Sequence, residues 1–215
     1  MQVTYAGERR MVERVILEDH HVWVPGELPW QRRLRLLQTL WREEHGWPAA
    51  VVRSPQRSYL LGSKLPAEEA TAQGRNFTTP AAFERAKQEV AHNKSRSSIE
   101  RKVLQTPRLF NDLLSSQPLC FNLFSELDRD RRLASRILGH LLPERVAAVR
   151  RVDFEWSPGR ADPQYLENRS AFDVVVEHTT PGGGLGFIGK SRLAWLASAG
   201  SVGPGRCGNS NRLPQ

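Results

Sequence analysis

The run Phe172-Asp173-Val174-Val175-Val176-Glu177 holds the residues best suited to chemistry. In an extended chain its side chains alternate faces, so Asp173, Val175 and Glu177 share one face and Val174 and Val176 the other. Two carboxylates on one face of an apolar strand are costly unless they are paired, solvated or bound to a metal. From the residues alone the run is either an edge strand with one wet face or part of a metal site. Gly184–Ser191 also satisfies G-x-x-x-x-G-K-[ST], the loop that cradles phosphates through backbone N–H groups. Such a loop must turn from a buried parallel strand directly into a helix. Here Glu177-His178-Thr179-Thr180-Pro181 separates the strand from the glycines, and no acid follows to serve a second Mg²⁺ role. Glu100-Arg101-Lys102 has acid-x-Lys spacing but lies in a helix-patterned segment, and reads as a solvated helix face. His20 and His21 are adjacent, hence on opposite faces if extended, and nothing nearby completes a metal site with them.

The balance of charge bears on partners. A net charge of +8 and a pI near 10.2 point to a polyanion, nucleic acid first. Half of that surplus lies from Lys190 onward (Lys190, Arg192, Arg206, Arg212), where no acid occurs, so the rest of the chain is only mildly basic. Apolar residues at 39% and charged residues at 25% suit a soluble globular protein. No apolar run approaches the ~20 residues of a membrane span. Met1–Arg14 is polar and charged, so no secretory leader is expected. Two cysteines make no disulfide framework, which sets a reducing cytoplasm as the expected location. Cys120, in the apolar run Leu119–Phe124, is expected to be buried.

The elements that would position these residues fall into two textures. Trp30, Leu34, Leu37 and Trp41 recur at helical spacing from Pro29 until Gly46 and Pro48, a stripe expected to pack in the core. Val51–Leu61 suggests a strand pair around Ser54-Pro55. Pro66–Gly74 is punctuated like a helix. Thr79-Pro80 opens another, through about Val90. Ile99–Ser116 is helical in pattern with Pro107 dividing it, and Leu127–Leu142 is an amphipathic helix ended by Pro143. Strands are then expected over Val146–Trp156, Ala171–His178 and Leu185–Gly189. Helices followed by strands indicate an α+β fold, a helical N-terminal half before a small mixed β-sheet. The expected divisions are residues 1–98, mainly helical; 99–189, a partial core; and 190–215, a disordered tail rich in Gly, Ser, Asn and Pro.

Four segments in order, "LLSSQPLCFNLF" (Leu113–Phe124), "VDFEWSPGR" (Val152–Arg160), "SAFDVVVEH" (Ser170–His178) and "GFIG" (Gly186–Gly189), resemble a bacterial group of restriction-endonuclease-like proteins. That group is placed in the PD-(D/E)XK nuclease superfamily, and the resemblance runs from about Arg32 to Gly189. It implies an αβββαβ core and Mg²⁺-dependent cleavage of a DNA phosphodiester. It makes Asp173 the first metal ligand, with Glu177 as a further site carboxylate. On the next strand the family supplies an acid-x-Lys, whose acid and intervening carbonyl ligate metal while the Lys orients the attacking water.

At that place this chain has Lys190-Ser191-Arg192, and no Asp or Glu follows Glu177. The expectation is therefore a nuclease-like chain with an incomplete core and no activity as written. The alternatives are a non-catalytic nucleic-acid-binding or remnant protein and, further off, a nucleotide binder through Gly184–Ser191. The tail is expected to be translated out of frame or natively truncated. Gly-Lys-Ser-Arg written GGN-AAR-TCN-AGR reads, from the third base of the glycine codon, NAA-RTC-NAG, which can spell Glu, Ile or Val, then Lys. DNA is the expected partner, and the oligomeric state is left open.

Overall fold

The computed structural model describes residues 14–53, 57–97, 100–157, 171–191 and 194–196, with side chains to residue 189. The chain forms two compact units that interleave in sequence: Met1–Pro80 with Gln105–Pro118, and Ala81–Leu104 with Leu119–Gln215.

The first unit holds α1 (Arg14–Asp19), α2 (Pro29–Glu44), the hairpin of β1 (Ala50–Arg53) and β2 (Ser58–Leu61), and α3 (Ala67–Gln73). Pro29 starts α2 with a φ already suited to a helix, and the Gln31 side-chain oxygen accepts the otherwise orphaned Leu28 N–H at 2.8 Å. Leu17, Val22 and Leu36 form a small core with Trp23 against it. The expected stripe on α2 is not part of any core. Trp30 is 60% exposed, Leu37 55%, Leu34 44% and Trp41 38%, while Leu36, Thr39 and Arg42 are buried instead. Helical spacing identifies an apolar face but not what the face meets, and here the opposite face took the inside.

The segment from Ile99 to Ser116 is not the divided helix its pattern suggested. Among its described residues only Arg108–Asn111 (α5) and its last residue, Ser116, which starts the next helix, are helical. Its backbone instead joins the Ser63–Leu65 segment: Leu65 N–H donates to Asn111 O at 2.9 Å and Leu113 N–H to Ser63 O at 3.2 Å. Leu109 and Phe110 are thereby buried, with Phe110 against Phe77. These hydrogen bonds between distant segments replace the helical ones.

The second unit contains most of α4 (Pro80–Ser95) and of α6 (Ser116–Arg129), then α7 (Arg131–Leu141) and a four-stranded sheet. The continuous helix expected over Leu127–Leu142 breaks at Asp130, whose carboxylate caps α7 by accepting from Leu133 N–H at 2.9 Å. The strands are β3 (Ala148–Trp156), β4 (Phe172–Thr179), β5 (Leu185–Ser191) and β6 (Ala194–Leu196), in that spatial order. All their pairings are antiparallel, so no parallel partner of the expected mixed sheet is among the described residues. One face carries Val152, Phe154, Val174 and Val176, each at most 3% exposed. Phe154 stacks on Phe121 of α6 at 4.2 Å between centroids, and α7 packs on β3. Cys120 is buried at 1% exposure. The tail expected to be unstructured contributes residues 190 and 191 to β5 and all of β6; residues 197–215 lie outside the described residues.

Candidate metal and nucleic-acid site

Asp173 stands on β4, a strand flanked on both sides rather than an edge. Burial on both faces follows: Asp173 is 2% exposed and Val175 5%. The Asp173 Oδ2 atom is buried without a hydrogen-bond partner among the described residues. A buried carboxylate oxygen left unmet is costly in a folded protein, and such atoms mark places awaiting a ligand or ion. The register beside it is irregular. Phe172 pairs with Ser191 and Val174 with Lys190, so Asp173 sits at a shift in the β4–β5 ladder. Such irregularities re-aim side chains and gather near active sites.

On the other flank the β3–β4 register shifts only farther along, between Val149 and Arg151. Phe154 pairs with Val174 and Trp156 with Phe172, which sets Glu155 across from Asp173. Glu155 is 3% exposed and adopts a left-handed φ of 49°, a strained conformation for a residue with a side chain. Its position opposite Asp173 is a feature the sequence did not reveal. Only the strand register brings residues from the second and third motif segments side by side.

Glu177 is placed differently. Four residues from Asp173, it lies about 13 Å along the strand, too far to share one small ion with it. Its side chain is 21% exposed and faces Arg150 Nε at 3.7 Å and Arg151 Nε at 3.8 Å. The two carboxylates therefore occupy different surroundings, one dry and unmet, the other among arginines. Arg150 and Arg151 keep 59% and 53% of their side-chain surface exposed, so their outer nitrogens can meet a phosphate.

Lys102 overturns a sequence expectation. It is not on a solvated helix face but 9% exposed, donating to Asp153 Oδ1 at 2.5 Å and to the Phe154 carbonyl at 2.6 Å. It also pairs with Glu89 Oε1 at 2.9 Å. Glu100, its supposed partner, is exposed and accepts from Ser97 Oγ. Glu89 is further held by Arg85 at 2.8 Å and Arg96 at 3.0 Å, and Arg85 reaches Asp128. Burial pushes the Glu89 carboxyl up, but the hydrogen bonds and charges of Lys102, with those of Arg85 and Arg96, outweigh it and hold the group at about 2. Every carboxylate here has a cation already, which marks a structural tie between α4, the 100–104 segment and β3.

The phosphate-loop reading of Gly184–Ser191 does not survive the structure. Residues 185–191 are the extended strand β5, paired antiparallel to β4, with no turn into a helix. Its glycines have another reason. A Cβ at Gly186 would lie 2.5 Å from the His178 ring, and one at Gly189 2.8 Å from the Phe172 ring. Both rings approach the strand so closely that only glycine leaves room. His20 also has a structural partner, with Nδ1 2.8 Å from Glu43 Oε2.

Asp173 offers one unmet hard oxygen, but among the described residues no group of three His, Cys, Asp or Glu side chains is placed to hold an ion. No helix among them is long and apolar enough to cross a membrane. A family model described as the PD-(D/E)XK nuclease superfamily matches residues 25–189. No curated protein and no solved structure matches the chain.

Proposed function

The chain belongs to the PD-(D/E)XK nuclease superfamily, and from that premise we propose that it carries the substrate-binding half of a metal-dependent DNA endonuclease site without a complete catalytic set. The carrying observation is the orphaned, fully buried Asp173 Oδ2 on the strand preceding β5. Asp173 is the residue assigned to metal, Mg²⁺ by family. Glu177 is a site carboxylate held among Arg150 and Arg151, outside the reach of the same ion. The matched region ends at Gly189, and Lys190-Ser191-Arg192 follows where an acid-x-Lys is needed. What the residues present can do is bind a phosphate backbone through Arg150 and Arg151 and keep water from Asp173. A reducing cytoplasm suits this reading, since DNA is the substrate and Cys120 is a buried thiol.

The test is supercoiled plasmid incubated with the protein and Mg²⁺ or Mn²⁺. The expected outcome is binding without nicking. Cleavage that vanishes in Asp173→Ala would overturn the incompleteness and leave the nuclease reading standing. Absence of both binding and cleavage would count against the whole reading. Coding DNA containing Glu-x-Lys in a shifted frame just past the Gly189 codon would explain the incomplete set, and the protein read in that frame should nick plasmid.

A further inference from the structure

Trp23, which packs against the small core of the first unit, also lines a cleft of about 200 Å³. The walls come from the end of α1 with the turn after it, and from β2. Two backbone contacts build it. Gly62, just past β2, donates its N–H to the His21 carbonyl at 2.9 Å, and a Cβ there would lie 2.3 Å from the His20 carbonyl oxygen. His21 holds a left-handed φ of 55°, and its N–H donates to the Glu18 carbonyl at 2.9 Å. A residue with a side chain rarely adopts that conformation, and such strain gathers where a site is being shaped. The turn thereby brings Glu18, His21 and Trp23 to the same cleft as Arg57, Tyr59 and Leu61.

The side chains supply three kinds of contact. Trp23 and Tyr59 offer half-buried aromatic rings, and Leu61 is buried beside them. Glu18 is an acceptor: Arg14 Nε donates to its Oε1 at 2.7 Å, and its Oε2 has no partner among the described residues. The third kind is positive. Arg57 is exposed, 5.0 Å from the Tyr59 ring centroid. Arg32 and Arg14 stand 3.9 and 4.8 Å from the Trp23 centroid, and the Arg32 Nε is buried without a hydrogen-bond partner among the described residues. Aromatic faces stack unpaired bases, a carboxylate accepts from the exocyclic amine of cytosine, and exposed arginines meet the phosphates between bases. The cleft is smaller than the roughly 300 Å³ at which pockets for drug-sized molecules begin, so it takes one ring system rather than a whole nucleotide. A base inside a duplex is stacked and paired, whereas a single strand presents its bases at little cost.

We propose that this cleft binds one unpaired cytosine of a single-stranded nucleic acid, with the ring against Tyr59, the N4 amine donating to Glu18 Oε2 and a flanking phosphate at Arg57. Thymine, with a carbonyl oxygen in place of that amine, meets the Glu18 carboxylate as acceptor against acceptor. The site shares no residue with the Asp173 strand, and it rests on the reading above only in taking nucleic acid as the ligand.

The test is fluorescence anisotropy of the full chain with labelled oligodeoxycytidylate and oligothymidylate of about 12 nucleotides, at one fixed low salt. Oligodeoxycytidylate is expected to bind roughly tenfold tighter, the difference made by one hydrogen bond to a charged group. Glu18→Ala should erase that preference. Tyr59→Leu should cost roughly tenfold in affinity, whereas Tyr59→Phe, which keeps the ring, should retain it. Far-UV circular dichroism shows that each variant is folded. Deoxycytidine monophosphate separates the two sources of the base: competition at least about tenfold weaker than that of the strand assigns the site to a strand. Competition as strong as the strand's overturns the strand and leaves a free nucleotide as ligand. Equal affinity for the two strands overturns the proposal, as does a folded Tyr59→Leu chain that binds like the native one. Binding of duplex with no binding of either strand overturns the cleft and leaves the proposed function standing; loss of both counts against the two together.

Discussion

At the scale of single residues, two acids show opposite ways of living inside the second unit. Glu89 is surrounded by Lys102, Arg85 and Arg96, and its pKa near 2 lies below its ordinary 4.5. A carboxylate depressed on folding contributes stability that is fully present above the unfolded pKa and disappears as pH falls through the folded one. The window is therefore pH 4.5 down to about 2, and the amount on the order of 3 kcal/mol. Lys102→Met should remove about 1 to 3 kcal/mol at neutral pH, because Glu89 and Asp153 lose their shared cation while Glu89 keeps Arg85 and Arg96. It should also flatten the acid limb of a stability-against-pH curve; an unchanged limb would show that Lys102 does not hold Glu89. Asp173 is the contrary case, a buried oxygen with no partner. Asp173→Asn keeps the shape and removes the charge, so in metal-free buffer the variant should be more stable by about 1 kcal/mol. A lower melting temperature than the native chain would place an unseen cation on Asp173 and refute the orphan reading.

At the scale of elements, some of the fold was legible because its signals are local. Pro and Gly punctuation located α3, a strand pair around Ser54-Pro55 located the hairpin, and alternation located β3, β4 and β5 within a few residues. What escaped were facts of tertiary origin. The outward face of α2 has the same spacing a buried face would have. The Lys102 cluster joins residues as far as 52 apart in sequence. Asp173 was found as a carboxylate in a strand, but its neighbour Glu155 came only with the register. The glycines of "GFIG" carried a true signal whose cause was hidden until the rings of His178 and Phe172 lay over them. Gly186→Ala should then destabilise by about 1 to 3 kcal/mol through overpacking. Adding His178→Ala should recover part of that loss, a coupling measurable by a double-mutant cycle in urea. Full additivity of the two changes would mean that the ring is not what excludes a side chain there.

At the scale of the whole molecule, the proposed function asks how a mildly basic protein would meet DNA. Half of the +8 charge lies from Lys190 onward, and among the described residues several of the other cations, Arg35, Arg85 and Lys102 among them, are paired with acids. Among the described arginines, Arg150 and Arg151 combine high exposure with long contacts of 3.7 and 3.8 Å to Glu177, contacts weak enough to yield to a phosphate. A footprint of about three phosphates gives a slope of log K against log salt near −3 and a loss of roughly 40-fold in affinity between about 50 and 200 mM salt. Sequence should matter little, because backbone contacts position a protein without reading bases. Arg150→Ala/Arg151→Ala should reduce the slope by about 2 and weaken every duplex alike. Fluorescence anisotropy with a labelled duplex over a salt series measures both. If binding were strong, insensitive to salt and indifferent to the double variant, the contact would lie elsewhere and these arginines would serve only to hold Glu177.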